Sequence, residues 1–180
     1  VGTHPSCRGD YSAKTTRWSV ENSLRLLKTE YLDAVLIHDP ADIAVPLAPD
    51  HALDELLRLK ERGVIGHVGL GVRQHEFHRR AIETGHCEII LTYLDYTLLD
   101  QSVAATTIPL ALSRDVGLIL GSVLALKRLT GLEPVDHPRA HAMWEWCRQR
   151  GCCIRDLALQ FCLEAPFPCT VMPGPGDRPH

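Results

Sequence analysis

Residues 20–40 read VENSLRLLKTEYLDAVLIHDP, and this stretch decides the predicted fold class. Its first half spaces apolar residues as one face of a helix does. Its second half is a continuous apolar run from Ala34 to Ile37 that ends at His38. A helix followed by a fully buried strand is typical of parallel sheets covered by helices. A strand that ends on a titratable ring is either a packing feature or the floor of an active site.

The same alternation of helix and strand continues along the chain. Strands are predicted at 33–38, 64–71, 87–94, 118–123 and 169–174. Helices are predicted at 15–28, 49–62, 74–85, 101–117, 139–151 and 154–165, with a kink or break at Pro109. Strands that are continuous apolar runs separated by helices fit two architectures, an open doubly wound sheet and a (β/α)8 barrel.

Glycine spacing separates these two architectures. An open sheet of the Rossmann kind carries GxGxxG after a strand, and the sequence has no such motif. Gly69 and Gly71 lack the third glycine, so they predict a tight strand exit and not a phosphate-binding turn. The barrel is therefore favoured, and in a barrel the functional groups lie at the carboxyl ends of the strands.

Composition excludes several classes of protein. The net charge is −3 and no basic block occurs, so no nucleic-acid partner is expected. No apolar stretch reaches the length of a membrane span, and the first residues, VGTHPSCRGDYS, lack the apolar core of a signal peptide. The seven cysteines are odd in number and lack CxxC spacing, which favours buried thiols in a reducing cytoplasm over a disulfide framework or a zinc site.

Ten positions around the opening stretch match a longer pattern. They are Ser19, Ser23, Leu24, Leu27, Tyr31, Leu32, Asp33, Ile37, His38 and Pro40. Together they resemble a signature segment of the aldo-keto reductases, S-x-x-x-S-L-x-x-L followed by Y-[IL]-D-L and I-H-x-P. The segments LDELLRLKERGVIGHVGLG, DYTLLDQ and LALQFCLEAP also resemble this family, in particular a sub-group related to D-threo-aldose and fucose dehydrogenases.

The resemblance implies a (β/α)8 barrel of which this chain is an incomplete part. Residues 1–180 would form one partial barrel domain of about strands four to eight, truncated at both ends. Of the family's catalytic Asp, Tyr, Lys and His, only the histidine maps here, onto His38. The lysine is expected immediately before Val1, and the aspartate and tyrosine further upstream. Asp10 and Tyr11 belong to a loop of the sub-group and are not expected to replace them.

The chemistry implied by the resemblance is hydride transfer between NADP or NAD and a carbonyl or hydroxyl carbon. The substrate would be a small sugar, polyol or aldehyde, and His38 would orient its oxygen. The 180 residues alone are expected to be inactive because the proton donor and its activating lysine are not encoded in them.

The resemblance also implies a set of cofactor-binding residues at the strand exits. Gly71 and Val72, or Arg73 in a second version of the motif, would face the nicotinamide amide, and Tyr96 or Tyr93 would stack on the ring. The exit of the 118–123 strand would contact the pyrophosphate. Gly176 stands where a basic residue would meet a 2′-phosphate, although Arg178 could compensate, so the choice between NADP and NAD stays open. The full set is Gly71, Val72, Arg73, Tyr96, Gly121, Ser122, Val123, Leu124 and Gly174.

Two other functions remain possible at this point. The first is a non-catalytic barrel that binds nucleotide or a partner, as regulatory members of the family do. The second is a different (β/α)8 enzyme, an aldolase or hydrolase, which the absence of a second titratable group at the other strand ends argues against.

Overall fold

The computed structural model describes residues 9–174, and in this part of the chain helices and strands alternate as predicted. The strands are β1 Leu32–His38, β2 Ile65–Gly71, β3 Ile89–Tyr93, β4 Gly117–Gly121 and β5 Thr170–Met172. The helices are α1 Ala13–Leu27, α2 Ala52–Glu61, α3 His75–Glu83, α4 Thr107–Ser113, α5 Pro138–Gln149 and α6 Ile154–Leu163.

The strands form one sheet in the order β1-β2-β3-β4-β5. β1 and β2 run parallel from the pair Leu32 and Ile65 to the pair His38 and Gly71. β4 and β5 are likewise parallel, and Gly121 pairs with Met172. Each crossover between neighbours contains a helix, as parallel strands require. The sequential order confirms the predicted pairing and excludes a doubly wound sheet, whose strand order reverses.

Glycines end two of the helices where the sequence predicted it. Gly63 follows α2 with φ 71° and Gly85 follows α3 with φ 74°. These are left-handed conformations that glycine adopts without steric cost.

The predicted helix at 101–117 differs in the structure. A 3₁₀ turn at Ser102–Ala105 precedes α4, and the break between them lies at Thr106. The prediction of a break at Pro109 was therefore wrong by three residues. Pro109 occupies the first turn of α4, where the missing N–H has no helical partner to lose.

Two compact units make up the chain. The first runs up to Ile90 and includes Ser113–Val116; the second comprises Leu91–Leu112 and the chain from Gly117 onward. Leu56, Ile65 and Ile82 are fully buried in the first unit, and Leu120, Leu129 and Ile154 are fully buried in the second. That residues 1–180 act as one domain stays a prediction. Across the described residues, no helix combines the length and apolarity that a membrane crossing needs.

Candidate active site

His38 is the last residue of β1, and its side chain is 82% exposed. Side chains alternate along a strand, so the buried Ile37 and the exposed His38 lie on opposite faces. The imidazole Nδ1 is 3.7 Å from Oδ2 of Asp39, which is beyond hydrogen-bond distance. The ring is therefore presented at the strand end beside that carboxylate, which lies within ion-pair distance but makes no hydrogen bond to it.

The backbone around His38 is fixed by two hydrogen bonds. Tyr11 donates its hydroxyl proton to the His38 carbonyl at 2.8 Å. The N–H of Asp39, at φ 41°, donates to the Gly71 carbonyl at 2.9 Å, which extends the pairing of β1 and β2 by one residue. Burial, and after it the charge of Asp39, raises the pKa of Tyr11. The phenol therefore stays protonated and can keep donating to His38 at neutral pH.

Asp10, the neighbour of Tyr11, has a capping role. Its carboxylate accepts hydrogen bonds from the Thr15 hydroxyl at 2.7 Å and from the Ser12 N–H at 2.9 Å. These bonds, the Thr15 bond first, lower the pKa of Asp10. Ser12 in turn accepts from the Thr15 N–H and begins α1. Asp10 is thus engaged at a helix start, and its exclusion from the catalytic groups stays a prediction.

The exit of β2 places three of the predicted cofactor residues in different environments. Gly71 has room for a side chain, because a Cβ there would come no closer than 3.8 Å to any atom. Val72 is fully buried, while Arg73 is exposed. The buried His78 of α3 lies with its Nε2 2.8 Å from the Val72 carbonyl. Since a carbonyl oxygen only accepts hydrogen bonds, Nε2 carries the proton and donates to Val72. This hydrogen bond ties the exit of β2 to α3.

In the second unit, Tyr96 is packed into an aromatic cluster. Its ring stacks on Phe161 at 5.3 Å between centroids and meets Phe167 edge-on at 5.1 Å. The residue is 7% exposed, and the Cys162 thiol donates to its carbonyl at 3.4 Å. Its ring is therefore occupied by protein contacts, and the half-buried Tyr93 is the less enclosed of the two predicted stacking residues.

The segment after β4 forms a tight turn with an unusual backbone. Ser122 has φ 51°, and the consecutive residues Ala125, Leu126 and Lys127 have φ values of 50°, 53° and 76°. Backbone N–H groups of Ala125 and Leu129 donate back to carbonyls within the turn, at 2.9 and 3.1 Å. Residues other than glycine seldom adopt this left-handed conformation, and such strain is found most often at functional sites.

The other predicted residues of the second unit lie around this turn or at the last strand. Gly121 is closely confined, since a Cβ there would be 3.3 Å from the Thr92 carbonyl and the Tyr93 Cβ. Val123 is fully buried and Leu124 half-buried. Gly174, after β5, is exposed and has open space around it. Gly176 and Arg178 lie outside the described residues.

Three residues near the strand ends escaped the sequence prediction. Asp95 is buried and accepts a hydrogen bond from the buried Thr92, and His78 is buried behind the β2 exit. Nothing in their spacing signals burial of a polar group, since each lies in an ordinary loop, strand or helix pattern. Over residues 9–174, no cluster of three or more His, Cys, Asp or Glu side chains could hold a metal ion.

Two curated relatives are sugar dehydrogenases. The chain is 25% identical over 183 residues to D-threo-aldose 1-dehydrogenase from a Pseudomonas species, covering 94% of this chain and 55% of the relative. It is 30% identical over 176 residues to L-galactose dehydrogenase from Arabidopsis thaliana, covering 92% of this chain and 55% of the relative. The chain thus spans about half the length of the curated relatives it matches.

Solved structures share the fold. An aldo-keto reductase from Bacillus halodurans superposes with a TM-score of 0.73 at 22% identity, covering 92% of this chain and 58% of that one. An aldo/keto reductase from Klebsiella pneumoniae, in complex with NADP and acetate, gives 0.66 at 21%, covering 91% and 54%. The predicted fold class, an incomplete (β/α)8 barrel, is confirmed. Since the sequence model of the Aldo/keto reductase family matches residues 3–180, the chain belongs to that family.

Proposed function

We propose that the protein of which this chain is part is an NAD(P)-dependent oxidoreductase that acts on a sugar, polyol or aldehyde. The observation that carries the proposal is the exposed imidazole of His38 at the end of β1, in a chain that belongs to the Aldo/keto reductase family. The names of the two sugar dehydrogenases among its relatives support the substrate class. Activity is expected to need the family's Asp, Tyr and Lys, which do not map onto these 180 residues.

The residues at the β2 and β4 exits can be tested for their fit to a dinucleotide. Gly71 leaves space beside the backbone, and Ser122, at the start of the turn after β4, has a left-handed backbone conformation. Val72 fits less well, because a buried apolar side chain offers no hydrogen bond to an amide. We therefore assign the nicotinamide amide contact to backbone groups here or to Arg73, the pyrophosphate contact to residues 121–124, and a further contact to Gly174.

The proposed role of His38 is to orient the substrate oxygen. A bound nicotinamide supplies or accepts the hydride. When hydride reaches a carbonyl carbon, negative charge develops on the oxygen, and an imidazole N–H that donates to this oxygen stabilises the charge. Tyr11 and Asp39 fix the backbone of His38, so the ring is presented from a rigid strand end. The proton itself would come from the family's tyrosine.

The burial of Val72 is the one observation that favours a second function. If the amide is not recognised, the barrel could bind a nucleotide without hydride transfer, as a regulatory member of the family. Both functions would bind a dinucleotide, so only the turnover of a substrate distinguishes them.

The experiment uses a protein extended upstream to include the lysine, aspartate and tyrosine that the resemblance leads us to expect there. We expect it to reduce NAD(P)⁺ in the presence of aldoses and the 180-residue chain not to do so. His38→Ala should lower kcat by about 100-fold, the usual loss for one donor to a developing oxyanion. The dissociation constant of the dinucleotide should stay within about threefold, because the ring meets the substrate and not the cofactor.

His86→Ala is the matched control. His86 is also an exposed histidine, but it precedes β3 and lies at the opposite end of the strands from His38. Its replacement should leave kcat unchanged. An active protein in which His38→Ala and His86→Ala behave alike would overturn the role of His38. Dinucleotide binding without turnover of any aldose, polyol or aldehyde would favour the non-catalytic function.

A further inference from the structure

The end of α5 is a Schellman motif whose two contact residues are both cysteines. Gly151, at φ 68°, follows the helix, and its N–H donates to the Arg148 carbonyl at 3.3 Å. The N–H of Cys152 donates to the Cys147 carbonyl at 3.1 Å. This hydrogen-bond pair defines the motif, and it brings together the side chains of the two residues that the six-residue turn joins, the donor and acceptor of the second bond. Here those side chains are the thiols of Cys147 and Cys152.

The side chains confirm this contact. The Cys152 sulfur lies 3.5 Å from the Cys147 carbonyl oxygen, so the thiol folds back over the helix end. Burial, and then hydrogen bonding with the Cys152 thiol, raises the pKa of Cys147 to about 11. Cys147 is 1% exposed and packs in an apolar cluster, whereas Cys152 is exposed to solvent. The Cys152 thiol is therefore accessible to a reagent, and the Cys147 thiol is buried next to it.

Two further cysteines of this unit, Cys153 and Cys162, make contacts of their own. The Cys153 sulfur lies against Gly131, 3.6 Å from where a Cβ on that glycine would be. The Cys162 thiol is bonded to the Tyr96 carbonyl. The vicinal pair Cys152 and Cys153 could close only a strained eight-membered ring, since the two residues are adjacent.

We propose that Cys147 and Cys152 form an oxidisable dithiol site that takes a hydroperoxide as its oxidant. The Cys152 thiolate attacks one peroxide oxygen; the O–O bond breaks, hydroxide leaves, and Cys152 becomes a sulfenic acid. The Cys147 sulfur then attacks the Cys152 sulfur, the S–O bond breaks, and a disulfide and water form. In total two thiols lose two electrons and two protons, and hydrogen peroxide is reduced to two molecules of water.

The test is a peptide map of the native protein after treatment with hydrogen peroxide and blocking of free thiols. Trypsin cuts after Arg148 and Arg150, so Cys147 falls in the peptide AHAMWEWCR and Cys152 in GCCIR. The proposed disulfide joins these two peptides, and a thiol reductant separates them. A vicinal disulfide would instead leave GCCIR unlinked and two hydrogen atoms lighter, so the two products are distinguishable by mass.

Three serine variants assign the sulfur that reacts. We expect the linked peptide to persist in Cys153→Ser and to be lost in Cys152→Ser, which should fold because Cys152 is exposed. A dimedone adduct on Cys152 should appear in Cys147→Ser, where the second thiol is absent. Oxidation of protein unfolded in guanidinium should spread the cross-links over many cysteines. A vicinal product, a link through Cys153, or no link in the native protein would each overturn the proposal.

Discussion

The carboxylate of Glu55 joins α1 to α2 and allows an asymmetric prediction. Arg17 holds both of its oxygens, with Nε and Nη2 at 2.6 and 3.0 Å, and Arg58 adds a longer contact at 3.4 Å. The Glu55 side chain is 1% exposed, while those of Arg17 and Arg58 are 49% and 47% exposed. The buried Glu55 carboxylate therefore needs the arginines to stabilise its charge, whereas the two guanidinium groups are also stabilised by water.

Replacing Arg17 and replacing Glu55 should change the free energy of unfolding by very different amounts. Arg17→Met leaves the Glu55 carboxylate buried with only the longer Arg58 contact. A buried charge without any partner costs about 3–5 kcal/mol, so the half-satisfied Glu55 carboxylate should cost about 2 kcal/mol. Glu55→Met removes the buried charge and leaves both arginines in water. Its free energy of unfolding should therefore lie within about 1 kcal/mol of the unchanged protein.

The pH dependence of stability follows from the same contacts. The Arg17 hydrogen bond is the main cause that lowers the pKa of Glu55 below its usual 4.5. A carboxyl with a lowered pKa in the folded state stabilises the protein fully above the unfolded value. That contribution is lost as the pH falls from 4.5 through the folded value. Arg17→Met should make the loss of stability below pH 4.5 shallower.

Urea denaturation followed by circular dichroism measures these effects, provided that the slope of the unfolding free energy is unchanged. Arg79→Met is the matched control, because Arg79 is 48% exposed, close to the 49% of Arg17, but its partners Glu76 and Glu83 are exposed too. Its midpoint should not move. The reasoning fails if Glu55→Met destabilises as much as Arg17→Met, or if Arg17→Met matches the Arg79 control.

Two further changes test the backbone of the candidate site, both by urea midpoints. Leu126→Gly should stabilise the protein by about 0.5–1 kcal/mol, because Leu126 is 65% exposed and holds φ 53°, a conformation that glycine adopts freely. Leu132→Gly is the control, because Leu132 is 75% exposed but lies outside the left-handed region, and it should not raise the free energy of unfolding. Equal effects at Leu126 and Leu132 would refute backbone strain at Leu126. Gly69→Ala should cost about 1–3 kcal/mol, since its Cβ would lie 2.5 Å from the Ile89 carbonyl oxygen. Gly71→Ala, with nothing nearer than 3.8 Å, should change stability by less than about 0.5 kcal/mol, and a larger loss there would contradict the space assigned to it.

Much of the fold could be predicted because its signals are local. The run from Ala34 to Ile37 is apolar at every position and predicts a buried strand; β1 forms there, but only Ile37 is buried and the three residues before it are half-buried. Gly63 and Gly85 end helices because the left-handed turn requires them within a few residues of the helix itself. The position of His38 at a strand end followed from the same local pattern.

Other features depend on contacts between distant residues, and local patterns do not report them. The bond from Tyr11 to the His38 carbonyl spans 27 residues. Glu55 has the sequence context of an exposed helix carboxylate, yet the packing of α1 on α2 buries it. The break at Thr106 likewise has no local signal, because the sequence pattern over residues 101–117 is helical throughout.

The sequence by itself determined the strands, their sequential parallel pairing and the family, because periodicity, helix caps and the motif around His38 act over a few residues. Only the tertiary structure decided how each candidate residue is used. It buried Val72, enclosed Tyr96 between two phenylalanines and placed Ala125, Leu126 and Lys127 in left-handed conformations without glycine. The physical reason is that burial and strain are set by the summed packing of distant segments, which no local pattern contains.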